Sequence, residues 1–182
     1  MSLPEKSKKQ VLKKIRGSRK GKKFPRAKAD VGPFYKAEYS LAVCKKCGAL
    51  YYKKSWHHGT DALFGGEKKK LRIQSVLCPA DMMIQEKLFE GELIIENIPE
   101  RLRQELIRLI HAYGERAYKR DCQHRVIAIE KRGKNAIRVT TTENQLANKL
   151  AKKIKSVFNK VAYAVQYSKE PYETERIHVK FL

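Results

Sequence analysis

The chain has 182 residues, 41 Lys or Arg against 19 Asp or Glu, and a formal net charge of +22. That length suits one small α+β domain with appendages, and that charge draws polyphosphate through counterion release, which makes nucleic acid the leading partner class and an anionic membrane surface the alternative. No apolar run reaches the ~18 residues needed to span a bilayer, and the basic N-terminus lacks the apolar stretch of a secretory signal.

Residues 1–36 come first, with 13 Lys or Arg and two acids, half of the net charge in a fifth of the length. Lys8, Lys9, Lys13, Lys14, Arg16, Arg19, Lys20, Lys22 and Lys23 alternate with Ser and Gly, and apolar residues are too few to nucleate a core. This pattern predicts a disordered basic arm that contacts phosphate; a solubilising tail is the simpler alternative.

Residues 37–96 read as a zinc-ribbon-like module. Cys44-Lys45-Lys46-Cys47-Gly48 is a Cys-x2-Cys turn, answered by Cys78-Pro79-Ala80-Asp81. Such turns present thiolates to one tetrahedral ion, and the glycine lets backbone amides turn toward the sulfurs. Four cysteines, two of them in a Cys-x2-Cys turn, suit metal ligation in a reducing cytoplasm better than a disulfide framework. Cys44, Cys47 and Cys78 are three expected ligands for Zn2+, with Asp81 the best-placed fourth by spacing and His57 or His58 as competitors. Phe34, Tyr35, Tyr39, Tyr51, Tyr52 and Trp56 surround the first turn and are expected to pack around the metal. A loop from His57 runs into Lys68, Lys69 and Lys70, and Leu71 to Leu77 delivers the second cysteine as a short strand.

Residues 97–182 read as an α+β domain in the order helix-strand-strand-helix-strand-strand. Pro99 opens a helix over 98–119 whose apolar face is Leu102, Leu106, Leu109, Ile110 and Tyr113. Residues 125–130 and 136–142 are strands around a basic hairpin turn that carries Arg132 and Lys134. Cys122 is expected to pack as a half-buried small apolar residue, and His124 to be a surface or packing histidine. Thr142-Glu143-Asn144-Gln145 has capping-box spacing. The helix it opens turns Leu146, Leu150, Ile154, Val157 and Phe158 inward and Lys149, Lys152 and Lys153 outward. Residues 161–167 and 176–181 close the chain as strands, with both helices on one face of an antiparallel or mixed sheet.

The sequence contains no phosphate-binding glycine loop, no H-E-x-x-H and no G-x-S-x-G, so no pattern converges on catalysis. A thiol oxidoreductase would place its Cys-x2-Cys at a helix N-terminus within a thioredoxin-like frame, which this sequence lacks. A DNA-binding or transcription-associated zinc protein is the principal alternative to an RNA-binding one. No basic stretch has the arrangement of a DNA recognition helix, and RNA read by shape and backbone is the more natural target.

Over roughly residues 37–182 the chain resembles the NMD-type proteins, relatives of the large-ribosomal-subunit adaptor of nonsense-mediated decay and subunit export. The likeness is to their short prokaryotic members. It is carried by Cys44-Lys45-Lys46-Cys47-Gly48-Ala49 with Trp56 downstream, and by Leu77-Cys78-Pro79-Ala80. Gly91-Glu92-Leu93 ahead of a charged helix and the run Ala136 to Thr142 ahead of the next add to it. The resemblance implies a non-catalytic, zinc-binding, ribosome-associated cytoplasmic protein that acts on ribosomal RNA of the large subunit. It matches Cys44, Cys47 and Cys78 to metal cysteines and puts Asp81 where the family has a fourth. That departure implies either an altered site or one held by packing alone. The larger relatives' additional cysteine pairs and domains are missing, so export and surveillance do not carry over.

Overall fold

The computed structural model describes residues 41–52, 54–59, 73–167 and 174–182. Among them the chain is α+β, with three helices and two mixed sheets. The basic arm and Lys68 to Lys70 lie outside the described residues.

The smaller sheet comes first. Leu41–Cys44 (β1), Leu50–Tyr52 (β2) and Ser55–His57 (β3) form an antiparallel meander, and Ile73–Val76 (β4) pairs with β1 in parallel. The turn between β1 and β2 closes through Gly48 N–H to the Cys44 carbonyl at 2.9 Å. Gly48 adopts φ +72°, a left-handed conformation that a residue with a Cβ resists. Pro79–Glu86 (α1) follows β4 at once, so the second cysteine turn is a helix N-terminus and not a second β-knuckle. The reason is local. Pro79 occupies the first helical position, and the Cys78 sulfur accepts the Asp81 N–H at 3.4 Å as an N-cap.

The larger sheet is built from Gly91–Glu96 (β5), Val126–Lys131 (β6), Ile137–Thr141 (β7), Val161–Tyr167 (β8) and Glu175–Phe181 (β9), in the order β6-β7-β5-β9-β8. Only β5 and β9 run parallel. Glu100–Arg120 (α2) and Asn144–Val157 (α3) pack on one face, as the apolar periodicity predicts. Strand β5 lies within the span read as the cysteine module, yet it is the middle strand of this sheet, adding to the helix-strand-strand-helix-strand-strand order that follows it.

Alternation along the strands aims Leu93, Ile95, Ile137, Val139, Ile177 and Val179 at the helices. They meet Leu106 and Ile110 of α2 and Leu150 and Ile154 of α3, all fully buried. Each such Leu or Ile contributes about 1.5–3 kcal/mol by leaving water. Two expectations for α3 need correction. Val157 is 39% exposed, because the chain leaves the helix there and Phe158 turns into the core in its place. The capping box also does not form. Glu143 is the N-cap residue, and the Thr142 hydroxyl instead donates to the Gln123 carbonyl at 2.6 Å and accepts the Arg125 N–H at 2.9 Å.

The sheet face away from the helices carries a charge cluster. Glu92 on β5 accepts from Arg138 Nε on β7 at 2.5 Å and from Arg176 Nε on β9. Arg138 also donates to Glu130 at 2.9 Å and lies 4.8 Å over the Phe89 ring. Burial would raise the Glu92 carboxyl, but the two guanidinium groups outweigh it and hold it below the usual carboxylate range. A depressed folded-state value stabilises the protein above the unfolded value of about 4.3 and is lost as pH falls through the folded value. Glu92→Gln is expected to cost about 2 kcal/mol at neutral pH, below the roughly 3–5 kcal/mol of a fully buried broken pair because both arginines still reach water. Thermal melts of the two proteins from pH 7 down to pH 3 check this: the variant should melt lower at pH 7, and the gap should close in acid.

Candidate metal centre

Four donors converge where the smaller sheet ends. The sulfurs of Cys44, Cys47 and Cys78 and a carboxylate oxygen of Asp81 all lie within 4.8 Å of one another. Cys44 ends β1, Cys47 sits in the following turn, Cys78 caps α1, and Asp81 is in that helix's first turn. Parallel pairing of β1 with β4 aligns Cys44 with Val76, which brings the Cys78 N–H to the Cys44 sulfur at 3.3 Å.

Their spacing fits a tetrahedral ion. Cys47 Sγ and Cys78 Sγ are 3.7 Å apart, and Asp81 Oδ2 lies 3.1 Å from Cys44 Sγ and 3.3 Å from Cys78 Sγ. Thiolates about 2.3 Å from a zinc ion stand roughly 3.8 Å apart at tetrahedral angles. Of the three residues the sequence offers for the fourth position, Asp81 is the one whose carboxylate lies with the three sulfurs. His57 Nε2 instead reaches the Tyr52 carbonyl at 3.3 Å, and His58 meets the Tyr118 carbonyl with its ring edge-on to the Tyr118 ring.

The cluster is buried. Cys44, Cys78 and Asp81 are each at most 2% exposed, and Ala49, Ala80, Cys122, Trp56, Leu77 and Tyr118 pack around them. Burial opposes ionisation of Cys44, yet the backbone N–H groups of Cys47, Cys78 and Lys46 outweigh it and bring that thiol below its ordinary value. Burial pushes the Cys47 and Cys78 thiols up, with the Asp81 carboxylate adding to the effect. Burial would likewise raise Asp81, but the three thiols and Arg125 hold its carboxyl low.

Arg125 is the residue that sequence reasoning missed. Its Nη1 donates to Asp81 Oδ1 at 3.2 Å, leaving Oδ2 to face the sulfurs. Nε donates to the Cys122 carbonyl at 3.0 Å, and the guanidinium lies 4.8 Å over the Tyr118 ring. The contact joins residues 44 apart in sequence, so no local motif announces it. Cys122 is fully buried and packs beside the cluster, as a small apolar residue would. The segment 121–125 between α2 and β6 thereby fastens the cysteine site to the larger sheet, helped by the Ala80 N–H to Gln123 Oε1 bond at 3.1 Å.

A group that orients a ligand from behind typically changes metal affinity 10–100-fold. Arg125→Met, which keeps the bulk and removes the charge, is therefore expected to weaken the binding of a metal ion at this cluster by about that factor. Competition against a chromophoric chelator reads it out, and unchanged affinity would reduce Arg125 to a packing role.

Among the described residues, the basic residues singled out in the sequence fall at two separate places. Arg132 and Lys134 are exposed on the β6–β7 turn, where the Lys134 carbonyl accepts a bond from Arg103 near the start of α2. Lys149, Lys152 and Lys153 are exposed on α3, and Lys149 lies beside Arg120 at the far end of α2, roughly 25 Å along the helix from Arg103. No helix among the described residues is long and apolar enough to cross a membrane. No family model matches the sequence, and no curated protein does.

Proposed function

We propose that this chain is a non-catalytic, zinc-binding cytoplasmic protein that binds ribosomal RNA and acts on the large ribosomal subunit, in its assembly, stability or idling. The observation that carries the reading is the close-set group of buried Cys44, Cys78 and Asp81 with half-buried Cys47, in a chain of charge +22. Buried donors packed on by Trp56, Leu77 and Tyr118 suit a metal that holds structure. Three thiolates and a carboxylate around Zn2+ carry a formal charge of −2, which Arg125 partly offsets. The charge supports a polyphosphate partner, and the NMD-type resemblance in the cysteine turns supports the large subunit as the place of action.

The test is sedimentation of the purified protein with separated ribosomal subunits at rising salt. Co-migration with the large subunit that survives moderate salt is expected. Loss from both subunits at modest salt would reduce the charge to generic attraction and overturn the reading. Deleting residues 1–30 should flatten the salt dependence of RNA binding, because the arm's cations neutralise phosphates. A salt slope unchanged by the deletion would show that the arm does not touch RNA.

A further inference from the structure

The C-terminal half of α2 carries Tyr113, Arg116 and Arg120 at spacings of three and four residues, so they share one face. Lys149 of α3 stands opposite and His124 closes a third side, enclosing a cleft of about 150 Å³. The Arg116 guanidinium lies 5.8 Å from the Tyr113 ring centroid. One acid lines the cleft, and it is already engaged. Asp121 Oδ1 accepts the Gln123 N–H at 2.8 Å, and Oδ2 is 3.8 Å from His124 Nε2. Among the described residues Arg116, Arg120 and Lys149 take part in no ion pair.

Three like charges held around one concavity repel one another unless an anion enters it. A second cavity, of about 410 Å³ between α2 and β6, is larger but less suited to an anion. Its one arginine is Arg125, already committed to Asp81 and the Cys122 carbonyl, and Glu115 lines it too.

We propose that the α2–α3 cleft seats a backbone phosphate of RNA on Arg116, Arg120 and Lys149. The exposed Lys152 and Lys153, one turn further along α3, continue the track for the next phosphate. The inference rests on the RNA-binding reading above and gives it an address in the folded part of the chain. It also assigns a role to Arg116 and Arg120, both exposed on α2.

The experiment is fluorescence anisotropy of labelled oligouridine, an RNA hairpin and a DNA duplex of equal length. Each is titrated with the full-length, zinc-loaded protein over a range of salt. The test variant is Arg116→Gln with Arg120→Gln. The control is Arg101→Gln with Arg108→Gln, which removes equal charge from exposed positions nearer the other end of α2. The cleft variant should bind RNA about tenfold or more weakly, with its salt slope reduced by roughly 0.7 for each phosphate no longer neutralised. The control should change by less than about twofold. Lys149→Gln, at an exposed site on the other helix, should reproduce the weakening in part and guards against a folding defect in the double variant. Equal weakening in test and control would overturn the cleft and leave RNA binding standing. No RNA binding by the unaltered protein would overturn the RNA reading itself. Preference for the DNA duplex would show that the ligand class is wrong.

Discussion

Replacing Cys78 by serine is expected to empty the metal site and unravel the smaller sheet while the larger one stays folded. Cys78 is fully buried, caps α1 through its sulfur, and lies within contact distance of both Cys47 and Asp81. Among the described residues the smaller sheet's other buried side chains are few, Leu41, Ala42 and Leu50. Its strands are three or four residues long, and its buried core beside the metal consists of Cys44, Ala49, Cys78, Ala80 and Cys122. In small metal-nucleated domains binding supplies about 10–16 kcal/mol, which is also the folding free energy. A serine hydroxyl does not ionise near neutral pH and offers zinc a poor ligand. The core of the larger sheet is a separate cluster around α2 and α3, which is why it should survive. Elemental analysis should find zinc falling to near zero. Amide exchange should show protection abolished over residues 41–57 and 73–86 but kept over 91–167. Full zinc content in Cys78→Ser would mean that the metal sits elsewhere. Asp81→Ala should weaken retention less, because three thiolates remain.

A second large effect is expected from adding a single methyl group, Gly91→Ala. A Cβ at Gly91 would lie 2.4 Å from Thr141 Oγ1, 2.6 Å from the Ala147 methyl and 2.9 Å from the Glu143 carbonyl oxygen. None of these can yield cheaply. Thr141 is fully buried and its hydroxyl is bonded to that same carbonyl at 2.8 Å. Ala147 lies on the buried face of α3, and Glu143 is the residue that starts it. The start of α3 must therefore lift from the middle of the sheet, a form of overpacking that costs about 3 kcal/mol or more. Urea denaturation should show the midpoint falling with the slope little changed. A midpoint close to that of the parent chain would mean that α3 rides less tightly on β5 than its geometry requires.

Elements with a clear period were the legible ones. Leu102, Leu106 and Ile110, then Leu146, Leu150 and Ile154, recur at helical spacing, and β6 to β9 fall within about a residue of expectation. Strand β5 escaped because it is buried on both faces. Its Leu93-Ile94-Ile95 core has no polar alternation to read, and a short continuous apolar run does not distinguish strand from helix. Helix α1 escaped for a different reason. At eight residues it has little room for periodicity, and Pro79 with Asp81, usable as a helix-start signal, was absorbed into the reading of a metal turn. At the site, cysteine spacing identified the three sulfurs and offered Asp81, because ligands within a turn are close in sequence. Arg125 had no such signal, since its approach depends on how the loop after α2 folds back over α1. The Thr142 misreading has the same origin, a hydroxyl claimed by tertiary partners that a local pattern assigned to a helix start.

Residues 121–125 belong to two neighbourhoods at once. Asp121 and His124 line the α2–α3 cleft, whereas Cys122, Gln123 and Arg125 grip the cysteine cluster. Five residues of backbone leave little room for one end to shift without the other. If anion binding tightens this segment and so raises the cluster's affinity for a metal ion, then by thermodynamic reciprocity the metal-loaded protein must hold its anion more tightly by the same factor. Loss of a metal ion from the cysteine cluster would then weaken an anion's hold on the cleft while the larger sheet, with its separate core, stays folded.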